Sequence, residues 1–104
     1  MRTEKMISLD PVPGPAFAKF ELGEIVVTPG AALRLDPKDV QNSIARHTRG
    51  DWGELEPDDR RENDERIEKG GPLASIYKDS RGTTFYILTE SDRSATTVLL
   101  PEEY

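Results

Sequence analysis

Apolar and polar positions alternate along the last third of the chain in the two-residue period of β-strands. From Thr83 to Thr89, Phe85 and Ile87 fall on one face and Tyr86 and Leu88 on the other, so neither face is left for water. That pattern predicts a central strand. The turn Asp79-Ser80-Arg81-Gly82 leads back from it to Leu73–Lys78, and the polar corner Glu90-Ser91-Asp92-Arg93-Ser94 leads on to Ala95–Leu100. Together the three runs predict an antiparallel meander. Farther upstream, Phe20 and Leu22 point one way and Ile25 and Val27 the other, with Gly23 at the change of phase, which predicts one more strand carrying a bulge.

Between these strands the period lengthens to that of a helix. Thr28-Pro29 is a hydroxyl cap followed by proline, but Gly30 and Pro37 limit the helix it starts to a turn or two. Asp36-Pro37 repeats the signal, and Val40, Ile44 and His47 recur at helical spacing, leaving Gln41, Asn42 and Arg46 for solvent. Gly50 ends this helix. A charged segment, Glu54 to Lys69, comes next, with Pro57, Asp58 and Asp59 suited to a first turn, Arg66 and Lys69 to a last one, and Gly70-Gly71-Pro72 as a stop. Its apolar anchors are Leu55 and Ile67, with Asn63 on the same face.

These elements predict a single α+β domain over residues 20–104: a small antiparallel sheet, built from an N-terminal strand and a C-terminal three-stranded meander, packed with two to three short helices. Residues 1–19 contain Pro11, Pro13, Gly14 and Pro15 and read as a poorly ordered leader. Met6, Ile7 and Leu9 leave room there for a short edge strand.

Composition narrows the function. At 104 residues there is material for one modest core and not for two domains. A net charge of −6 repels a phosphate backbone and turns the reading away from nucleic acid and toward a protein partner. The absence of cysteine removes disulfides, thiolate nucleophiles and Cys-ligated zinc. No run is long enough to span a bilayer and none after Met1–Lys5 has the length of a signal peptide, so a cytoplasmic protein with no membrane contact is expected. No cofactor is implied: the one Gly-Gly pair runs into Pro72, which lacks the amide a phosphate loop would aim at its ligand.

The candidate site residues fall in three groups. Arg49, Asp51 and Trp52 lie in the Arg49–Gly53 loop, where Trp52 reads either as a plug in the core or as an exposed anchor for a partner. The tripeptide Arg49-Gly50-Asp51 matches a cell-adhesion sequence, a match too short to weigh. Asp58, Asp59 and Asp64 belong to an acidic face suited to a basic partner, and Glu54 to Glu68 also reads as an imitation of DNA charge or as a solvated surface. Glu90, Asp92 and Arg93 form the polar corner. Asp51, Glu90 and Asp92, with His47, offer ligands for magnesium, but Arg49 and Arg93 lie close enough in sequence to neutralise those carboxylates, so no metal site is expected. His47 near a helix end suits the helix dipole. Ser94, Thr96 and Thr97 lack the surroundings of a nucleophile.

Arg49-Gly50-Asp51-Trp52-Gly53, Asp59-Arg60-Arg61-Glu62-Asn63, Leu88 to Ser94 and the closing Thr97-Val98-Leu99-Leu100-Pro101-Glu102-Glu103-Tyr104 together carry a resemblance. From about Phe20 to Tyr104 the chain resembles a family of small bacterial proteins of plasmids, phages and other mobile elements. The resemblance implies a non-enzymatic accessory factor that binds another protein, with inhibition of host defence, of the anti-restriction or anti-CRISPR type, as its narrower form. It brings no catalytic residues. The competing expectation is a metal-dependent nuclease or hydrolase using Asp51, Glu90 and Asp92.

Overall fold

In a computed structural model, the structure describes residues 18–104. Of the leader expected over residues 1–19, residues 1–17, with the edge strand considered at Met6–Leu9, lie outside the described residues, and the amide of Lys19 donates to the Thr48 carbonyl at 2.7 Å. Strand β1 (Glu24–Val27) is followed by helices α1 (Pro29–Arg34), α2 (Pro37–Thr48) and α3 (Pro57–Lys69), then by strands β2 (Leu73–Lys78), β3 (Thr84–Thr89) and β4 (Ala95–Leu99) and a 3-10 turn at Pro101–Glu103. The α+β class expected from the pattern is the class observed.

The four strands lie in the order β1-β4-β3-β2, which makes β3 an inner strand with neighbours on both sides. β2, β3 and β4 form the antiparallel meander, with Ile87 opposite Ser75 on one side and Val98 on the other. One detail departs from the expected all-antiparallel sheet: β1 runs parallel to β4, pairing Ile25 with Thr96 and Val27 with Val98. The connection length permits this, since strands joined by a hairpin must be antiparallel, whereas β1 reaches its neighbour only after all three helices and two strands and is free to pair in either direction. The strand is also shorter than the pattern suggested. Phe20 and Leu22 precede it, and Gly23, at φ +65°, lets the backbone pass so close to Ser94 that an added Cβ would collide with its carbonyl group.

Each helix start matches its sequence signal. Thr28 Oγ1 accepts from the Ala31 amide at 3.3 Å to cap α1, and Asp36 Oδ1 accepts from the Lys38 amide at 2.8 Å to cap α2. The core lies between these two helices and one face of the sheet, where Val27, Ala31, Leu35, Val40, Ile44, Tyr77, Phe85, Ile87, Val98 and Leu100 are buried together. α3 contributes little to it and instead closes the far edge of β2. Asn63 Nδ2 donates to the Ala74 carbonyl at 2.7 Å, and the Trp52–Glu54 segment runs beside Ile76, whose amide reaches Trp52 O at 3.3 Å and whose carbonyl accepts from Glu54 N at 2.7 Å. The backbone groups of this edge are thereby satisfied without another strand. Gly53 permits the approach, because a Cβ there would overlap the Ile76 oxygen.

The C-terminal residues act as a clasp. The Glu103 carboxylate accepts from Thr28 Oγ1 at 2.5 Å, from the Gly30 amide at 3.0 Å and from the Leu100 amide at 2.9 Å, joining the start of α1 to the end of β4. Partial burial pushes this carboxyl up, but the hydrogen bonds from Thr28, Leu100 and Gly30 outweigh it and hold the group below its usual range. Among the described residues, no helix is long and apolar enough to cross a membrane.

With Ile87 fully buried on the inner strand, Ile87→Ala is predicted to lower unfolding free energy by about 2–5 kcal/mol, the cost of lost transfer energy plus a cavity. Denaturant unfolding measures this. A loss below about 1 kcal/mol would mean that β3 does not centre the core.

Candidate functional site: a sealed histidine chain and an open sheet face

On the inner face, alternation within three neighbouring strands turns Ser75, Thr89 and Thr96 toward the helices, opposite the chain's one histidine. His47 on α2 meets Ser75 Oγ through Nδ1 at 2.6 Å and Thr89 Oγ1 through Nε2 at 2.9 Å. Thr89 Oγ1 lies 2.8 Å from Thr96 Oγ1, which donates to the Leu22 carbonyl at 2.7 Å. Because the Thr96 proton is committed to Leu22, Thr89 must donate to Thr96 and can only accept from His47. The ring therefore carries its proton on Nε2, and Nδ1 accepts from Ser75.

Phe20 and Trp52 close over this chain, their rings 5.2 and 5.5 Å from the imidazole and 6.0 Å from each other. His47 and Ser75 are both 0% exposed. Burial, with the nearby positive charge of Arg93 as a smaller cause, pushes the imidazole pKa down to about 3. A serine donating to a histidine nitrogen is the contact of a nucleophile and its base. Here both partners are buried, and burial makes the imidazole a weaker base. The chain joins α2 to the sheet and is structural. The helix-dipole reading of His47 is corrected accordingly, since a neutral ring makes no favourable charge contact with a helix end.

The Arg49–Gly53 loop is fixed rather than presented. Trp52 is 2% exposed, and its indole N–H donates to Asp64 Oδ1 at 2.9 Å, so the plug reading holds and the exposed-anchor reading is corrected. Asp51 takes a two-pronged contact from Arg46, at 2.8 Å from Nε and 3.2 Å from Nη2, and its main-chain carbonyl accepts from Tyr77 Oη at 2.6 Å. The Arg46 hydrogen bonds are the main cause holding the Asp51 carboxyl low, with Arg49 a minor one. Arg46, expected to face solvent, is half-buried, and Arg49 is exposed.

The polar corner is held together differently from the pairing expected. Arg93 donates not to Glu90 or Asp92 side chains but to main-chain carbonyls, those of Gly71 at 2.7 Å, Arg66 at 2.9 Å, and Glu90 and Ser91 at 3.1 Å. The Arg66 carbonyl, which also accepts from the Gly70 amide at 2.9 Å, and the Gly71 carbonyl lie at the C-terminal end of α3, where the negative end of the helix dipole favours the guanidinium. These bonds also hold Arg93 at φ 63°, a conformation unfavourable for a side-chain-bearing residue. Asp92 Oδ1 accepts from the Ser94 amide at 3.0 Å, and hydrogen bonds from Ser94 keep its carboxyl low. Asp51, Glu90 and Asp92 do not converge. Among the described residues, no three His, Asp or Glu side chains are placed to hold a metal ion.

The acidic group divides. Asp64 is engaged by Trp52, Asp58 pairs with Arg61 at 3.2 Å on the surface, and Asp59 is exposed. What the sequence did not single out is the second face of the sheet. There Ile76, Tyr86 and Leu88 are only half-buried, and Tyr104, 82% exposed, meets the Tyr86 ring at 5.9 Å. Two adjoining hollows of about 190 and 330 Å³ lie along this face. The pairing of Tyr86 and Leu88 with alternating inward Phe85 and Ile87 was a signal that both faces are apolar, but not that one lacks a helix over it.

Fold and site together define a small α+β protein in which the His47 hydrogen-bond chain is buried and, among the described residues, the second sheet face is only partly covered. Compared with family models, curated proteins and solved structures, the chain matches none.

Since the native ring resists protonation down to about pH 3 while an unfolded histidine titrates near 6.5, the unfolded state binds more protons between these values. Stability from this group is complete above about pH 6.5 and is lost as pH falls toward 3. We predict a loss of about 1 kcal/mol between pH 6 and pH 5, where ordinary carboxylates are still mostly ionised. Nitrogen NMR should show the Nε2–H tautomer unchanged across that range. A ring that titrates near 6.5 in the folded protein contradicts the assignment.

Proposed function

We propose that this chain is a small acidic accessory factor that acts by binding another protein and performs no chemistry of its own. The observation that carries the reading is the second sheet face, where Ile76, Tyr86 and Leu88 stay half-exposed beside a charged helix. Grouped on one face next to the exposed Tyr104, these partly exposed apolar side chains support a contact surface. α3 adds six acidic residues against four basic ones, a field that favours a basic partner and repels nucleic acid. The burial of the His47–Ser75 pair supports the non-enzymatic half of the proposal. The resemblance to mobile-element cargo alone supports the narrower form, in which the partner belongs to a host defence system met in the cytoplasm.

Tagged full-length protein and its Leu88→Arg variant, compared for capture from cells that carry the protein, test this. Leu88 is half-buried on the open face, so the variant should keep its melting temperature and lose the captured protein. Reversal of Asp58 and Asp59 to lysine should slow association roughly several-fold at low salt with little effect on melting, because exposed charges contribute little to stability. Equal capture by Leu88→Arg and the parent chain would remove the open face from the function.

A further inference from the structure

The open face has enough shape and charge to specify what it binds. Its floor consists of two cross-strand pairs, Ile76 with Tyr86 and Ala74 with Leu88. Ala74 is the smallest of the four, so the floor drops there, and both hollows share Ala74, Leu88 and Tyr104. Leu55 stands at one end of this groove, and Arg66 and Glu90 at the other.

The rim is acidic in effect. Arg66 lines the groove from α3, which places Glu62 and Asp59, four and seven residues earlier, on the same side of that helix. The guanidinium itself is occupied by Glu62 at 2.9 Å and by the Pro72 carbonyl at 3.1 Å. Among the described residues, the carboxylates of Glu90 and Asp59 have no hydrogen-bond or ion-pair partner. An apolar trough with unpaired carboxylates at its rim rejects an acidic segment and a phosphate-bearing one. A second copy of this chain is a poor occupant too, since a two-fold contact through this face would bring one acidic rim, with Asp59, Glu62 and Glu90, against another in a molecule of charge −6.

We propose that the groove receives a short cationic segment of the partner protein carrying a large aliphatic or aromatic side chain. That side chain seats over Ala74 between Leu88 and Tyr104, and the flanking lysine or arginine residues face Glu90 on one side and Asp59 and Glu62 on the other. The inference rests on the protein-binding reading and adds the chemistry of the bound segment. Apolar anchoring in a pocket supplies affinity, and the rim charges supply orientation and discrimination.

Nitrogen-labelled full-length protein titrated with three blocked hexapeptides provides the test: Lys-Arg-Leu-Phe-Arg-Lys, the acidic Glu-Asp-Leu-Phe-Asp-Glu, and Lys-Arg-Ser-Ser-Arg-Lys, which keeps the charge and lacks the anchor. The first should shift the amides of Ala74 to Ile76 and Tyr86 to Leu88 and bind roughly tenfold or more tightly than either of the others, a difference of about 1.4 kcal/mol or more. Its affinity should fall with salt, weaken in Glu90→Lys and vanish in Ala74→Phe, which fills the trough from the solvent side. Groove amides that do not move, equal response to all three peptides, or self-association that shifts the same amides would each overturn the proposal. If the groove ignores the cationic peptide while Leu88→Arg still releases a captured partner, the protein-binding reading stands and the cationic occupant falls. If Leu88→Arg retains the partner as well, both fall.

Discussion

The structure depends on keeping an imidazole dry. His47 reaches from α2 into a sheet whose neighbouring strands offer it Ser75 and Thr89, and Thr96 passes the last proton to the Leu22 carbonyl. A buried polar group that loses a partner costs on the order of 1–3 kcal/mol, so each link constrains the next. The register of β2 against β3, the approach of the Phe20–Gly23 segment to β4 and the placement of Phe20 and Trp52 over the ring all serve one requirement. With its donors and acceptors matched, the neutral ring is stable in the core; charged, it would be a buried cation without its hydration and with the positive charge of Arg93 nearby.

That requirement explains why residues suggestive of a site are structural. Trp52 is a lid on the histidine, Asp64 satisfies the indole, and Arg93 fastens the end of α3 to the β3–β4 corner while lying 5.8 Å from the Phe20 ring. Glu103 does comparable work at the other side of the domain, binding the first turn of α1 to the end of β4. Thus the Arg49–Gly53 loop and, near the C-terminal end, Glu103 maintain the fold. The surface proposed for interaction is the opposite sheet face with α3 beside it.

Much of the fold was legible because local signals and burial agree. Thr28-Pro29 and Asp36-Pro37 are capping chemistry that acts within one turn, and the alternation of Phe85, Tyr86, Ile87 and Leu88 reports a strand with neighbours on both sides. The direction of β1 was not legible, because the choice between parallel and antiparallel pairing with β4 is made by distant segments. The candidate site was less legible. Arg93 lies near Glu90 and Asp92 in sequence, yet its partners are carbonyls of Arg66 and Gly71, brought close only by folding. Ser75 and Thr89 did carry a signal: Ser75 occupies an inward position between Leu73 and Tyr77, and Thr89 follows inward Phe85 and Ile87 at the strand's end, so each requires a polar partner in the core. The single histidine was that partner.

Because the chain holds one histidine, its accessibility can be read without ambiguity. Diethyl pyrocarbonate reacts with neutral imidazole that it can reach, and mass spectrometry of the full-length protein at neutral pH would track the modification of His47. The account predicts that the folded protein stays unmodified at His47 and that the residue reacts at the rate of a free imidazole only in denaturant. Rapid modification of the folded protein would contradict it: the ring would then be open to solvent, and the Ser75–His47 contact would have to be weighed as a working nucleophile and base.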